Sequence, residues 1–418
     1  MSTSPRLKSG WAILLFLFLL STPLKNSAYS EFIIRVLVLN DVKANFRADA
    51  FKSLYIKGVP TQQRRVHSIK IIHSKGQTKY STDNTNGKVF ILPKNFNLII
   101  KNNDNRGVWL GKRRYAGELR VSIKNNKLQV INHIEIDNYL RSVVGSEMPK
   151  EFPLAALQAQ AVASRTYVVQ ILDKKRDFDV KATEDSQVYL GLESETPITR
   201  KAVRSTKSLV MIYQDKLINA VFHSSSGGRT EASGNVWKYQ FPYLISVVDY
   251  DQNNPKYKWS KEISSSKLED IFNELGGLNS IQIIKKSKSN RVLKVLIYGP
   301  KGKKVISGKT LRKNLNLKST KFDLELVLSD VSDKKEIYET DYYINDYSLS
   351  LTKDLDKEFI PQRLPPIRNK YFLSVKGLGA GHGVGMSQWG ARHMADKGAT
   401  FRKILRHYYR GVKINSYY

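Results

Sequence analysis

The sequence predicts an α+β protein in which a β-rich N-terminal unit precedes a mixed α+β region. Between residues 31 and 117, short runs rich in Val and Ile alternate with turns of Asn, Gly, Asp and Lys, which is typical of antiparallel strands. Residues 153–172 form an alanine-rich segment that opens on a proline, which predicts a buried helix. Two segments near the C-terminus, 387–397 and 401–410, are each followed by a glycine and also favour helices.

Length and composition narrow the class of protein. The chain has 418 residues, which predicts about two or three structural units at roughly 100–200 residues per domain. We divide it into a leader (1–28), the β-rich unit (31–117) and the mixed region (118–415). Apolar residues make up 41% and aromatic residues 10%, which argues against general disorder. The chain has no cysteine, so disulfide frameworks, thiolate zinc sites and cysteine nucleophiles are excluded.

The leader has the pattern of a secretory signal peptide. Arg6 and Lys8 precede an apolar run over 11–20, and a polar stretch then ends at Ala28, a small residue at a possible cleavage point. The apolar run is shorter than the about 20 residues needed to span a bilayer, so we favour a signal peptide over an uncleaved anchor. We therefore expect export to the periplasm, the cell wall or the extracellular space.

The net charge points to an anionic partner. Against 37 Asp and Glu there are 69 Lys and Arg, a formal charge of +32; removing the leader, with three basic residues and no acid, leaves +29. For an exported protein the expected polyanions are cell-wall polymers, lipid head groups or surface polysaccharide, and not nucleic acid. The densest stretch, 285–321, holds thirteen basic residues and no acid. It is interpreted either as a solvated β surface or as a face that docks on an anionic wall.

The individual elements follow from local patterns. Strand-like runs cover 33–39, 68–72, 88–92 and 97–101, and continue at 118–122 and 127–136. In the alanine-rich helix, one apolar stripe has a polar edge of Gln158 and Arg165; the stripe comprises Leu154, Leu157, Ala161, Val168 and Ile171.

Further along, a short helix is expected at 262–276 and a surface excursion at 330–366. Glycine at every second position over 377–385 predicts a strand with one bare face, which allows a backbone or ligand to approach closely. Thr400 is expected to cap the last helix, 401–410.

Glu147 is the first candidate for chemistry. It lies between what resembles an apolar strand end, Val143-Val144, and the Met148-Pro149 turn that leads into the alanine-rich helix. These apolar neighbours would desolvate the carboxyl group and raise its pKa towards the range useful to a general acid. The alternative is an exposed turn carboxylate stabilised by the N-terminus of the following helix.

Two further segments carry polar groups suited to a site. His382 stands between glycines that give its imidazole little steric shielding, so a site role and a structural hydrogen bond are both open. Residues 222–230 combine serine hydroxyls with glycine amides, a set suited to sugar hydroxyl or acetamido groups. A serine hydrolase would need an Asp-His-Ser geometry that the sequence does not show. The seven histidines include no i, i+4 ligand pair, so we expect no metal site and no cofactor.

Seven motifs in order resemble the SpoIID/LytB family of sporulation and cell-wall proteins. They are Ser-Glu-Met-Pro at 146–149, the alanine-rich run at 156–167, and the segments 185–191, 226–230, 307–312, 381–391 and 407–412. The resemblance covers about residues 118–415 and leaves the β-rich unit largely outside. Some family members carry cysteine where this chain has Ser186, so a zinc site suggested by those members is not expected here.

The resemblance implies a lytic transglycosylase that cleaves peptidoglycan strands between N-acetylmuramic acid and N-acetylglucosamine, leaving 1,6-anhydro ends. The family's proposed catalytic acid maps onto Glu147. The candidates for binding glycan or shaping the cleft are Arg165, Tyr167, Gln187, His223, Ser225 and His382. The partners that the resemblance implies are peptidoglycan strands and a cell-wall amidase or another wall-remodelling protein.

Two alternatives from other classes stay open at this point. One is a non-catalytic wall-binding protein that enhances a separate N-acetylmuramoyl-L-alanine amidase, as the LytB branch is thought to act. The other is extracellular nucleic-acid binding, which rests on charge alone.

Overall fold

The computed structural model describes residues 32–50, 52–59, 65–85, 87–102, 106–328 and 371–417. Helices and sheets both contribute, with the N-terminal part rich in strands, so the predicted α+β class is confirmed. The leader and the excursion at 330–366 lie outside the described residues. In the part of the chain that is described, none of the helices has the length and apolar character needed to cross a membrane.

The described strands are β1 (Ile33–Asp41), β2 (Lys43–Arg47), β3 (Leu54–Lys57), β4 (Arg65–Val66), β5 (Ser68–Ser74), β6 (Gln77–Thr82), β7 (Phe90–Ile91), β8 (Leu98–Lys101), β9 (Val108–Leu110), β10 (Arg113–Tyr115), β11 (Glu118–Lys124), β12 (Lys127–Glu135), β13 (Val180–Lys181), β14 (Leu209–Tyr213), β15 (Lys216–Leu217), β16 (Phe222–His223), β17 (Lys258–Ser264), β18 (Ser280–Lys286), β19 (Val292–Gly299), β20 (Gly302–Ser307), β21 (Phe322–Leu328), β22 (Tyr371–Leu378), β23 (Met386–Ser387) and β24 (Lys413–Ser416). The described α-helices are α1 (Ile136–Glu147), α2 (Leu154–Gln170), α3 (Pro197–Ser205), α4 (Ser265–Ile271), α5 (Gly308–Asn314), α6 (Gln388–Asp396) and α7 (Phe401–Tyr408).

Two sheets build the N-terminal part. One has seven strands in the order β13–β1–β12–β11–β8–β3–β4, and the other has six in the order β10–β9–β2–β5–β6–β7. The β11–β12 hairpin turns at Asn125 and Asn126, whose φ values of 51° and 59° suit the twist of a two-residue hairpin loop. Because β11 and β12 pair with β8 and β1, the boundary predicted at residue 117 falls inside a shared sheet.

Helix α1 replaces the strand end expected at Val143-Val144. Ile136, Leu140, Val143 and Val144 recur at helical spacing and are all buried, so the β-branched pair packs as part of a helix face. The strand that was expected to reach residue 136 ends at Glu135.

Helix α2 confirms the predicted alanine-rich helix, but not its single stripe. Most of its residues are buried on all sides, and α1, α3, α6, α7 and β14 pack around it. Small alanine side chains permit this close packing because neighbouring backbones can approach the helix axis. Helix α2 is therefore the centre of the main hydrophobic core.

A second core lies within residues 258–328 and 371–378. Two three-stranded sheets, β17–β22–β21 and β18–β19–β20, enclose apolar side chains such as Trp259, Val295 and Leu373, together with α4 and α5. The basic stretch 285–321 belongs to this part. The helix expected at 262–276 is shorter than predicted, because residues 258–264 continue as strand β17.

The glycine-rich run is not the continuous strand that its alternation suggested. Strand β22 ends at Leu378, and Gly379, Gly381, Gly383 and Gly385 then adopt φ values of 69°, 100°, 82° and 73°. Only glycine adopts this region readily. The run packs tightly on its neighbours: a Cβ on Gly385 would lie 2.0 Å from the carbonyl oxygen of Val221.

Candidate active site

Glu147 is the last residue of α1, and the sequence explains why the helix stops there. The ring of Pro149 disfavours the helical conformation for the residue before it. Met148 is accordingly extended, with φ −128° and ψ 141°. Glu147 is thereby held at the helix C-terminus, where the partial negative charge of the helix end disfavours a carboxylate.

Two donors from different parts of the chain hold the Glu147 carboxyl group. The backbone N–H of Val188 donates to Oε1 at 2.8 Å, and Nε2 of the buried Gln388 donates to Oε2 at 3.3 Å. The carboxyl group is half-buried, and this burial raises its pKa above the ordinary glutamate value. The two hydrogen bonds act in the opposite direction and lower the pKa. The net direction is upward, as a general acid requires.

The loop that supplies Val188 is fastened to α1 at several points. The Ser146 hydroxyl accepts from the N–H of Leu190 at 3.2 Å, and the Tyr139 hydroxyl donates to Oε1 of Gln187 at 2.9 Å. Gly145 lets the loop approach the helix, since a Cβ there would lie 1.9 Å from the carbonyl oxygen of Ser194. The position of the Val188 donor is therefore fixed by helix packing.

A series of electrostatic interactions runs from Glu147 through Glu184 and Arg312 to His382. The exposed Glu184, in the same loop, is close enough to raise the pKa of Glu147 further. Glu184 also acts on Arg312 of α5, and Arg312 in turn acts on His382. Burial, then the charges of Arg291 and Arg312, lower the pKa of His382 to about 4, so this imidazole is neutral at pH 7.

Arg165, Gln187 and Tyr167 lie among the helices. Arg165 is fully buried; its guanidinium pairs with Asp137 at 3.0 Å and donates to the Thr206 carbonyl at 2.8 Å. Gln187 is also buried, while Tyr167 is half-buried against the main core. As placed, Arg165 and Gln187 join elements of the fold, and their contact with a glycan stays a prediction.

His223, Ser225 and His382 form a second group. The rings of His223 and His382 lie 5.5 Å apart, and the chain at Ser225 pairs with Ala380. Nδ1 of His223 donates to the Val384 carbonyl at 3.0 Å, whereas its buried Nε2 has no partner among the described residues. Nδ1 of the half-buried His382 accepts from the Val384 N–H at 3.0 Å.

The polar groups of segment 222–230 are already used inside the protein. The Ser225 hydroxyl and the N–H groups of Gly227 and Gly228 donate to Asp251, and the Ser226 hydroxyl donates to Asp249. Sugar binding by these amides and hydroxyls therefore has no geometric support. The Ser225–Asp251 bond involves no histidine, so it gives no support to a serine-hydrolase triad.

Three residues of the site were not singled out as candidates from the sequence: Gln388, Glu184 and Arg312. Gln388 and Arg312 stand in motifs quoted above, and Gln388 is the polar side chain at the start of α6. Their proximity to Glu147 or His382 arises from tertiary packing. Parallel pairing of β16 with β23 places the start of α6 beside the loop after His223.

The described residues around Glu147 carry no arrangement that marks a metal site. Among the described residues, no cluster of three or more His, Asp or Glu side chains is arranged to hold a metal ion. Two cavities of the fold lie away from Glu147. One, of about 380 Å³, lies between β18 and β21, and the other, of about 560 Å³, lies between the β9–β10 hairpin and helices α1 and α3.

Known proteins similar to this chain agree with the motif pattern. The family model described as SpoIID, stage II sporulation protein, matches residues 124–213. Stage II sporulation protein D of Bacillus amyloliquefaciens is 28% identical over 305 residues, 68% of this chain and 75% of that protein. An uncharacterised protein of Brachyspira hyodysenteriae is 30% identical over 315 residues, 74% of this chain and 75% of its own length. The amidase enhancer of Bacillus subtilis is 31% identical over 291 residues, which cover 66% of this chain and 40% of that protein.

The fold, the site and these relatives define a protein with a function related to the cell wall. More particularly, the chain belongs to the SpoIID/LytB family, which confirms the resemblance drawn from the motifs.

Proposed function

We propose that this protein is a peptidoglycan lytic transglycosylase in which Glu147 acts first as acid and then as base. The observation that carries the proposal is the environment of Glu147: a half-buried carboxyl group at a helix C-terminus, with its pKa raised by burial. Such a group retains its proton further towards neutral pH than an exposed glutamate. It is also the residue onto which the family's proposed catalytic acid maps.

The reaction exchanges one bond at the muramic C1 carbon for another. Glu147 gives its proton to the glycosidic oxygen, the C1–oxygen bond breaks, and the leaving N-acetylglucosamine keeps the electron pair. The resulting carboxylate takes the proton of the muramic C6 hydroxyl, whose oxygen forms the new bond to C1. No water is consumed, and one carboxyl suffices because the nucleophile belongs to the substrate.

The Val188 N–H has a specific role in this cycle. It stabilises the carboxylate that forms after proton transfer, because a charged acceptor forms a stronger hydrogen bond than a neutral one. Gln388 contributes in the same way from α6. Together they limit the rise in pKa, so that the group is able to release its proton and also to recover one.

The experiment compares the wild-type protein with Glu147→Gln on peptide-stripped glycan strands, with mass spectrometry of the products. Wild type is expected to release fragments with 1,6-anhydro ends, and Glu147→Gln to release none above background. Gln158→Met is the matched control, because Gln158 bonds to Ser205 on α3 and not to Glu147. Identical product profiles from wild type and Glu147→Gln would end the enzymatic proposal.

A second candidate function is supported by the amidase-enhancer relative. In that case the protein binds the wall and raises the activity of a separate N-acetylmuramoyl-L-alanine amidase. The carboxyl group of Glu147 is then not needed for this enhancement. Export to the periplasm or outer wall belongs to both proposals. Adding wild type and Glu147→Gln to a purified wall amidase separates them, since only an enhancer acts equally well with both.

A further inference from the structure

The larger of these two cavities is lined by four arginines. Its volume is about 560 Å³, and it lies on the side of α1 that faces the N-terminal sheets. The charged and amide side chains that line it are Asn102, Arg106, Arg114, Asn138, Arg141, Glu195 and Arg200. The arginines come from four separate positions along the chain, and only the tertiary fold brings their positive charges together.

Two of these arginines lie close to carboxylates. Arg114 pairs with Asp49 at 3.1 Å and with Glu193 at 3.0 Å. Arg200 lies 3.5 Å from Glu195, a longer contact than these. Arg106 and Arg141 add further positive charge to the cavity wall, and the carboxyl group of Glu135 accepts a hydrogen bond from the wall residue Asn138 at 3.0 Å.

Arg141 is the arginine best placed to receive a ligand. It is half-buried on α1, and among the described residues it forms no ion pair, although its charge acts on Glu195. Glu195 is itself held inside the cavity, with 8% of its side chain exposed, whereas 49% of the Arg200 side chain is exposed. The cavity thus opens to solvent beside Arg200 and has Arg141 and Glu195 in its wall.

A single loop connects this cavity with the candidate active site. The loop gives the Val188 N–H to Glu147 and, a few residues later, places Leu192 and Glu195 in the cavity wall. Arg141 lies six residues before Glu147 on α1, about 9 Å along the axis and on a different face. The cavity is therefore separate from Glu147 but connected to it by the same helix and loop.

We propose that this cavity is a binding site for a carboxylate group of peptidoglycan, with Arg141 and Arg200 as its ligands. The proposal deepens the proposed function and rests on it for the identity of the polymer. A carboxylate matches the planar fork of a guanidinium group. It also brings a single negative charge, whereas a phosphate-rich polymer would bring more negative charge towards Glu195 and Glu193.

Peptidoglycan offers two sources of that carboxylate. Peptide-stripped strands expose the lactyl carboxylate of muramic acid, and intact strands expose the carboxylates of their stem peptides. The shared chemistry is one planar monoanion on a neutral sugar or peptide frame. Testing stripped and intact strands side by side identifies which of the two the cavity takes.

The test measures dissociation constants for the full chain carrying Glu147→Gln, so that no strand is cleaved. The probes are stripped strands, stripped strands with their carboxylates converted to amides, and intact strands. In that background, Arg141→Gln is expected to weaken binding of the preferred strand about tenfold, the loss expected for one charge-assisted hydrogen bond. Glu195→Gln is expected to tighten it, because a competing negative charge is removed.

The matched control is Arg406→Gln, the same change of charge at an exposed position on α7. Equal weakening by Arg141→Gln and Arg406→Gln, or equal binding of amidated strands, would overturn the proposal. If Arg141→Gln fails to fold, the opposite sign expected for Glu195→Gln still decides it: no tightening contradicts a carboxylate site. These constants are independent of catalysis, so the absence of anhydro products from wild type would refute the proposed reaction without deciding this site.

Discussion

At the scale of single residues, the proposed chemistry depends on the interactions that set the pKa of one carboxyl group. Burial raises the pKa of Glu147, and the Val188 N–H and Gln388 side chain lower it. The C-terminus of α1 adds to the upward direction, because its exposed carbonyl groups disfavour a neighbouring negative charge. Of these contributions, the hydrogen bond from the Gln388 side chain is the one that a substitution removes directly.

The first prediction concerns Gln388. Replacing it by methionine removes a donor that stabilises the ionised Glu147, so the pKa of Glu147 rises further. If the protonated acid is the active form, activity falls as pH rises through this pKa, and the alkaline limb of kcat/KM moves to higher pH. Gln158→Met should leave the limb in place. A shift to lower pH in Gln388→Met would contradict the assignment of Glu147 as acid.

The second prediction concerns stability and does not require activity. Because the folded-state pKa of Glu147 is raised, its contribution to stability is complete below the unfolded-state pKa and is lost as pH rises through the folded-state pKa. Glutamine does not ionise, so the Glu147→Gln variant does not lose this stability as the pH rises. Relative to wild type, Glu147→Gln should therefore be more stable at pH 8 than at pH 4. Urea denaturation at the two pH values measures this difference in the free energy of unfolding. The reverse order would show that the carboxylate is stabilised by folding.

At the scale of secondary-structure elements, a buried ion pair joins the helices that carry the site. Arg165 on α2 reaches Asp137 on α1 at 3.0 Å and also bonds the carbonyl of Thr206 just after α3. Removing one partner of a buried pair leaves the other charge without compensation. The role of Arg165 that the geometry supports is therefore to hold α1, α2 and the end of α3 together.

The third prediction tests this role. Arg165→Met should lower the free energy of unfolding by about 3–5 kcal/mol, and adding Asp137→Asn should recover a large part of the loss. Urea denaturation of the single and double variants measures both. A double variant no more stable than the single one would contradict the pairing. A stable double variant that no longer binds glycan would instead support the predicted contact of Arg165 with substrate.

At the scale of the whole molecule, the positive charge is a long-range property separate from the site. The formal charge of +32 is spread over many exposed lysines, including those of β18 and β20. Such a field attracts anionic polymers and is screened by salt, since the Debye length falls from about 10 Å at 0.1 M to about 3 Å at 1 M.

The fourth prediction follows from this charge. Binding to isolated cell walls, measured by co-sedimentation, should weaken several-fold as sodium chloride is raised from 0.1 M to 1 M. Glu147→Gln should show the same salt dependence, because one acid changes the total charge little. Binding that is indifferent to salt would show that specific contacts, and not the net charge, hold the protein on the wall.

The sequence predicted those parts of the fold that are decided locally. Helix α2 follows from Pro153 and the alanines after it, and Thr400 caps α7 as expected, accepting from the Lys403 N–H at 3.3 Å. Helix α1 was missed because its β-branched Val143-Val144 pair also suits a strand. The burial of Arg165, Gln187, His223 and Ser225 was missed because it depends on partners 23 to 161 residues away, such as Asp137 and Val384.

The same limit applies to the candidate site. Glu147 was singled out as a candidate from its apolar neighbours and its motif, which are adjacent in the chain. Glu184, Gln388 and Arg312 were not, because packing brings them to this region. Glu184 also provides a second carboxylate near Glu147, which a hydrolytic mechanism with a water nucleophile would use.

The most direct measurement is therefore digestion of peptide-stripped strands in ¹⁸O-labelled water, followed by mass spectrometry. Transfer of the muramic C6 oxygen to C1 predicts 1,6-anhydro ends that contain no ¹⁸O, formed by wild type and lost in Glu147→Gln. Products with reducing ends labelled by ¹⁸O, or unlabelled anhydro products that persist in Glu147→Gln, would contradict the account.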